Sequence, residues 1–309
     1  MNTFALFRSL TLAAGLLVGL ASAQAADAAR TFPTPEAAAS ALREATTTQN
    51  KDALQALFGP GGQYLINPDP VMGLGELERF SQAMAQGYLL VPESSERQVL
   101  EVGTDRWPFP VPLVLAGGQW QFDAAAGREE ILDRRIGANE LKVLESLRAF
   151  VAAQREFSES DPNGDEIHEY ARRFVSTPGK KDGLFWPVEL DGTESPMGPL
   201  VAAAQAEGYR EMGHAKSEPQ PFHGYYFKIL TRQGKAAPAG AYNYVINGHL
   251  LGGFAAVAWP AEYGETGIMT FIVNQQGRVY QKDLGPKTAK LAKGMSEYDP
   301  GPGWTVSPD

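Results

Sequence analysis

The sequence predicts an α+β protein built as two units. Residues 31–125 place helical patterns ahead of short, alternating apolar runs. Residues 126–288 repeat that order, with one long amphipathic stretch followed by a series of strand-like segments. The chain has 309 residues and no cysteine, so it is long enough for two cores and must hold them by packing alone.

In the first unit, Thr34 is placed as an N-cap and Pro35 as the first helical residue of an alanine-rich run ending near Thr46. Asn50 caps a second helix, Lys51 to Phe58, which Gly59-Pro60-Gly61-Gly62 stops. Leu74 to Gln86 reads as a third helix. Arg97 to Val102, Val111 to Leu115 and Gln119 to Phe122 then read as strands of one curved antiparallel sheet, separated by Asp105, Pro108, Pro110 and Gly117-Gly118.

The second unit opens at Gly127 with a helix running to about Phe157, with a break expected at Gly137. Leu141, Leu144, Leu147 and Val151 are spaced as its buried stripe, with Glu140, Arg148 and Arg155 off it. Glu166 to Phe174 is expected to be helical. His223 to Thr231, Tyr242 to Ile246, His249 to Trp259, Gly267 to Val273 and Arg278 to Asp283 read as strands. Asn247-Gly248 predicts a type I′ hairpin, since that turn needs positive φ at both positions, and Asn274 to Gly277 closes another. Residues 289–309 are expected to form a tail.

Residues 1–25 carry Arg8, an apolar run from Leu10 to Ala21 and two small-residue sites, Ala21-Ser22-Ala23 and Ala23-Gln24-Ala25. This is the pattern of a cleaved signal peptide, too short to span a bilayer, and it predicts a periplasmic or secreted protein. The formal charge of −9 argues against nucleic acid and anionic membrane surfaces as partners. No later segment approaches the ~20 apolar residues of a membrane span. The lack of cysteine excludes thiolate metal sites, cysteine nucleophiles and a lipid-modified cysteine.

Asp161, Asn163 and Asp165 place oxygens at positions 1, 3 and 5 of a calcium-type loop, with Glu169 nearby. Position 6 is Glu166 where such loops use glycine, and position 12 is Arg172 where they use glutamate, so a plain turn competes with calcium. The four histidines, His168, His214, His223 and His249, form no HExxH pair. His223 beside Gly224 is the candidate general base, with Asp182 or Glu262 as its carboxylate. Ser195 lacks the Gly-x-Ser-x-Gly frame of a nucleophile and reads as a turn residue. Lys180, Trp186, Trp259 and Tyr263 gather a cation and aromatic rings into Gly- and Pro-rich segments, where they either bind an anionic or sugar-containing ligand or seal the loops. Trp107-Pro108-Phe109-Pro110 either packs at the junction of the units or walls a pocket.

Three resemblances accompany these residues. The helices-then-meander order of residues 31–125, ending in Gly117-Gly118 and Gln119-Trp120-Gln121-Phe122-Asp123, resembles the cone-shaped fold of nuclear transport factor 2. Asn139-Glu140, Ser146-Leu147-Arg148, Gly224-Tyr225-Tyr226-Phe227, Phe254 to Ala258, Tyr263-Gly264 and Gly277-Arg278-Val279 resemble the globular part of a type IV pilin or pseudopilin, without its membrane-embedded helix. Trp107 to Pro110, Arg134 to Gly137, Ser176 to Lys180, Asp182 to Pro187 and Tyr280 to Pro286 resemble the bacterial family called domain of unknown function 2950, which implies a secreted protein and no particular activity. The expected role is therefore non-enzymatic binding, of a small ligand or a cell-envelope partner. The alternative is an envelope hydrolase using His223 and a carboxylate. No cofactor is implied apart from the calcium reading.

Overall fold

The computed structural model describes residues 28–308, except 66, 68, 163, 208 and 210–219. The leader pattern of residues 1–25, Asn163 and His214 lie outside the described residues.

Helix α1 (Pro35–Thr47) begins as its sequence dictates, with Thr34 Oγ1 accepting from Ala37 N at 3.2 Å. Helix α2 (Lys51–Phe58) is capped the same way, Asn50 Oδ1 accepting from Ala53 N at 3.0 Å. Helix α3 (Pro70–Gln86) starts four residues earlier than its apolar spacing suggests, because Asp69-Pro70 supplies both an N-cap and a first helical residue. Strand β1 (Tyr88–Pro92), which the sequence reading did not anticipate, pairs antiparallel with β2 (Arg97–Val102). The short β3 (Trp107–Pro108) also pairs with β2, and β4 (Leu113–Ala116) joins β2 to β5 (Gln119–Phe122). Ala38, Leu42, Leu57, Phe58, Leu100, Leu113 and Phe122 form the core between these helices and their sheet.

Helix α4 (Ala124–Ser160) is a single 37-residue helix that passes through Gly137 without a break. At 1.5 Å per residue it is about 55 Å long, enough to serve both cores. Ala124 belongs to the first core, whereas Val143, Leu147, Phe150 and Phe157 belong to the second. Leu141 corrects the expected stripe, being 63% exposed. At 100° per residue it lies roughly 130° round the helix from the face centred on Leu147 and Gln154, which explains its exposure.

No helix forms at Glu166–Phe174. Gln154, buried on α4, takes over the backbone there, donating from Nε2 to Ala171 O and accepting at Oε1 from Ala171 N, both at 2.8 Å. A side-chain amide that satisfies both groups of one residue holds that chain extended against the helix. The loop then reaches α5 (Gly198–Glu207).

The second sheet is wholly antiparallel. Strand β6 (Tyr225–Leu230) is followed by two small ribbons, β7 (Arg232–Gln233) with β8 (Tyr242–Asn243), and β9 (Val245–Ile246) with β10 (His249–Leu250). Between the last two, Asn247 and Gly248 have φ of 51° and 89°, as the type I′ turn demands. Strand β11 (Ala255–Pro260), buried along its whole length, lies between β6 and β12 (Met269–Asn274), and β13 (Tyr280–Asp283) follows. Residues 289–309 do not form a loose tail: α6 (Thr288–Gly294) packs near β11, Tyr298 is fully buried, and β14 (Thr305–Val306) pairs with β13. The protein is thus of mixed helix and antiparallel-sheet type. Among the described residues no helix is long and apolar enough to cross a membrane.

A third, small cluster lies where the two parts meet. Tyr209, Phe222 and Ala204 gather there with Val71 and Met72 from α3. Nearby, Arg134 links α4 to β3, pairing with Glu130 at 2.7 Å, donating to Pro108 O at 3.2 Å and covering the Trp107 ring at 5.1 Å. The sequence Trp107-Pro108-Phe109-Pro110 thus packs on the first core and the N-terminal part of α4, with Phe109 stacked on Phe80 at 4.9 Å.

Candidate functional site

A cavity of about 390 Å3 opens between residues 185–195 and the first turns of α5. Its walls are mainly apolar, from Phe185, Trp186, Pro187, Val188, Pro199 and Val201. Local chemistry fixes this loop. Asp191 Oδ1 accepts from Thr193 N at 3.1 Å and from Thr193 Oγ1 at 2.6 Å, an Asx turn, and its other oxygen pairs with Lys181. Lys181 and Thr193 hold the Asp191 carboxyl down at a pKa of about 2. The Lys181 ammonium also lies 5.4 Å from the centre of the Trp186 ring, whose Nε1 donates to Thr193 O at 3.3 Å. Ser195 in the lining, 3% exposed, has a buried Oγ with no hydrogen bond among the described residues. Burying a hydroxyl without a partner costs about 1–3 kcal/mol.

Of the four residues expected to bind a ligand, only Trp186 lines this cavity. Both indoles are buried, Trp186 being 3% and Trp259 5% exposed, which fits sealing of the loops rather than an exposed binding surface. Trp259 sits on buried β11 beside Tyr226, their ring centres 5.8 Å apart. Tyr263 donates to Asp283 Oδ2 at 3.2 Å, and Lys180 is exposed in a turn closed by its own N–H to Thr177 O. These are packing and turn roles. Seen from the sequence, Trp186 and Ser195 were both visible, but nothing local showed that α5 would close the space between them.

A second polar cluster lies at the far end of α5. His223 is 5% exposed with φ of 48°, followed by Gly224 at 72°, so two successive residues turn through the left-handed region. Its Nε2 lies 3.4 Å from Glu207 Oε2, while its Nδ1 is buried without a hydrogen-bond partner among the described residues. The carboxylate neighbour assigns the ring proton to Nε2. Tyr209 OH donates to Asp69 Oδ2 at 2.6 Å and accepts from His223 N at 3.3 Å. Burial, reinforced by Asp69, pushes the Tyr209 phenol far above its ordinary value, so it stays a donor.

The carboxylates expected beside His223 are elsewhere. Asp182 accepts from Thr177 N at 2.7 Å and Thr177 Oγ1 at 2.8 Å; burial pushes its pKa up, but these bonds and Arg173 outweigh that and leave it lowered. Glu262 is exposed and engages Thr266 through its backbone. Neither makes a hydrogen bond or ion pair with His223 among the described residues. Glu207, Tyr209 and Asp69 were missed because they are 140 residues apart at their extremes and carry no motif.

Burial holds the His223 imidazole below its ordinary pKa, against an opposing pull from Glu207. The ring is neutral in the fold at pH 7. Its contribution is fully present above the unfolded pKa of about 6.5 and is lost as pH falls towards the lower folded value, because the unfolded chain then binds the extra proton. Urea midpoints measured at pH 7.5 and 5.0 are therefore expected to differ less in His223→Asn, whose side chain tolerates positive φ, than in the native protein. An unchanged difference would remove His223 from the acid sensitivity.

Of the calcium-type loop, Asn163 lies outside the described residues. Asp161 ends α4 at φ of 41° and its Oδ2 accepts from Glu166 N at 3.0 Å, while Asp165 Oδ1 accepts from Ile167 N at 2.9 Å. Glu166 itself takes φ of 63°, the turn for which such loops use glycine. Arg172, at position 12, donates to Gly248 O at 3.3 Å. Asp165 and Glu169 do approach each other, and the third member of their group is His249 rather than Asp161.

The fold and cavity define a class: an α+β protein with two cores joined by one long helix, and an apolar cleft beside the junction. The particular family follows from comparison. The chain belongs to the family described as protein of unknown function (DUF2950), whose model matches residues 29–306. No curated protein matches it, and no solved structure does.

Proposed function

We propose that this is a non-enzymatic binding protein of the bacterial cell envelope that holds a small, mainly apolar ligand between residues 185–195 and α5. The observation that carries the reading is the mainly apolar cavity itself, with Ser195 Oγ buried at its wall and without a hydrogen bond among the described residues. Glu189 and Glu194, both exposed, stand in the same lining, so a neutral or cationic ligand suits it better than the anionic one suggested by Lys180. The signal-peptide pattern of residues 1–25 supports a periplasmic or secreted site of action. The order of helices and strands supports a nuclear transport factor 2-like first unit and a pilin-like second unit, with the long helix on the antiparallel sheet.

Ala202→Trp tests the site. Ala202 is an exposed residue of the lining, and an indole there would fill the cleft without entering a core. Hydrophobic amines, alcohols and carboxylic acids of similar size are screened by thermal shift and titrated by calorimetry. Binding of amines or alcohols that falls at least tenfold in Ala202→Trp is the expected result. Failure of all three classes, or binding indifferent to the substitution, would overturn the reading.

One observation favours a second reading, a hydrolase whose base is His223: the ring faces the Glu207 carboxylate at 3.4 Å. It predicts ester or amide cleavage that disappears in both His223→Asn and Glu207→Gln. Cleavage that survives either substitution would dismiss it.

A further inference from the structure

We propose that Asp165, Glu169 and His249 form a binding site for a divalent transition-metal cation of the zinc class. One ligand atom from each of the three lies within 4.8 Å of the other two. The grouping is made by the fold, since Glu169 and the hairpin residue next to His249 are 81 apart in sequence. Three bonds dock the loop on the hairpin: Tyr170 N donates to Leu250 O at 2.9 Å, Leu250 N to Glu169 Oε2 at 3.2 Å, and Arg172 Nη1 to Gly248 O at 3.3 Å. His249 is fixed in turn as the first residue after the Asn247-Gly248 turn, paired with Ile246.

The geometry and the donor set agree on the kind of ion. Four ligands about 2.1 Å from a tetrahedral zinc stand about 3.4 Å from one another. His249 Nδ1 and Glu169 Oε2 are already 3.3 Å apart. Asp165 is exposed, and its carboxylate lies within the same 4.8 Å of the other two ligand atoms while its Oδ1 accepts from Ile167 N at 2.9 Å. An imidazole among the donors selects zinc, copper or nickel over calcium, which takes only oxygen. The two carboxylates repel each other at this separation, and a divalent cation relieves that repulsion. The consequence is structural: the ion would clip the start of the long loop after α4 to the β9–β10 hairpin.

The test uses the mature chain, stripped of metal with a chelator and titrated by calorimetry with zinc chloride and, separately, calcium chloride. His249→Gln, Asp165→Asn and the control His168→Ala are compared with the native protein. His168 lies on the same loop but bonds Ser158 O and is outside the cluster. Expected are one zinc per chain, at least tenfold weaker binding in His249→Gln and Asp165→Asn, and unchanged binding in His168→Ala. Saturating zinc is also expected to raise the unfolding temperature by about 5 °C in the native chain and not in His249→Gln. Circular dichroism confirms that each variant is folded before titration. Absence of zinc binding, zinc binding equal in His249→Gln, or calcium binding as tight as zinc would each overturn the proposal; in that event the His249–Glu169 contact is a plain hydrogen bond.

Discussion

Replacing Phe150 by alanine is expected to destabilise the protein by about 3–5 kcal/mol, measured as the fall in unfolding free energy in urea. Phe150 is 1% exposed on α4, and its ring centre lies 5.5 Å from that of Phe174 and 5.5 Å from that of Phe254. Phe174 comes from the helix-free loop and Phe254 from the residue before β11, so a single side chain fastens two elements to the helix. Truncation leaves a cavity inside the second core, where close packing limits how far the neighbours can collapse into it. A second effect separates this position from a generic core residue. The loop held by Phe174 leads directly to residues 185–195, so Phe150→Ala is also expected to weaken ligand binding in the cleft, whereas Phe271→Ala, deeper in the sheet, should cost similar stability with less effect on affinity. Equal losses of affinity in both variants would show that the cleft follows global stability rather than this contact.

How much of this could be read in the sequence depends on the range of the interaction. Thr34, Asn50 and Asn247-Gly248 act within three or four residues of themselves, and each does in the structure what its chemistry announces. The helix expected at Glu166–Phe174 failed for a long-range reason: Gln154 satisfies both backbone groups of Ala171 from 17 residues away. Leu141 failed for a geometric one, since i, i+3 spacing alone does not say on which side of a stripe the core lies. The candidate sites divide in the same way. Trp186 and His223 stand out as residue types, but Ser195 becomes interesting only once α5 folds across it, and Glu207 replaces Asp182 and Glu262 beside His223 through tertiary contacts alone. His249 carried no ligand motif because its partners Asp165 and Glu169 arrive from a separate loop.

Asp69→Ala should be the most damaging substitution among the polar groups, at about 2–4 kcal/mol. The one carboxylate does two tasks. Its Oδ1 caps α3 through Val71 N at 3.0 Å and Met72 N at 3.3 Å, and loss of such a cap costs about 0.5–2 kcal/mol. Its Oδ2 accepts from the buried Tyr209 hydroxyl, and orphaning that donor adds about 1–3 kcal/mol. The second task is the one with consequences for the molecule as a whole, because it ties the first turn of α3 to the segment that carries Glu207 and His223. A cycle of Asp69→Ala, Tyr209→Phe and the double variant isolates it: the pair should show a coupling of about 1–2 kcal/mol, since deleting the hydroxyl after the carboxylate is gone removes nothing further. Additive losses would mean that the two sides are joined by Val71, Met72, Phe222 and their apolar neighbours alone, and that the Asp69–Tyr209 bond is a passenger of that packing. With coupling, the junction is specified by a directional bond, and the left-handed turn at His223-Gly224, whose backbone N–H points at the same hydroxyl, is the local conformation that completes it.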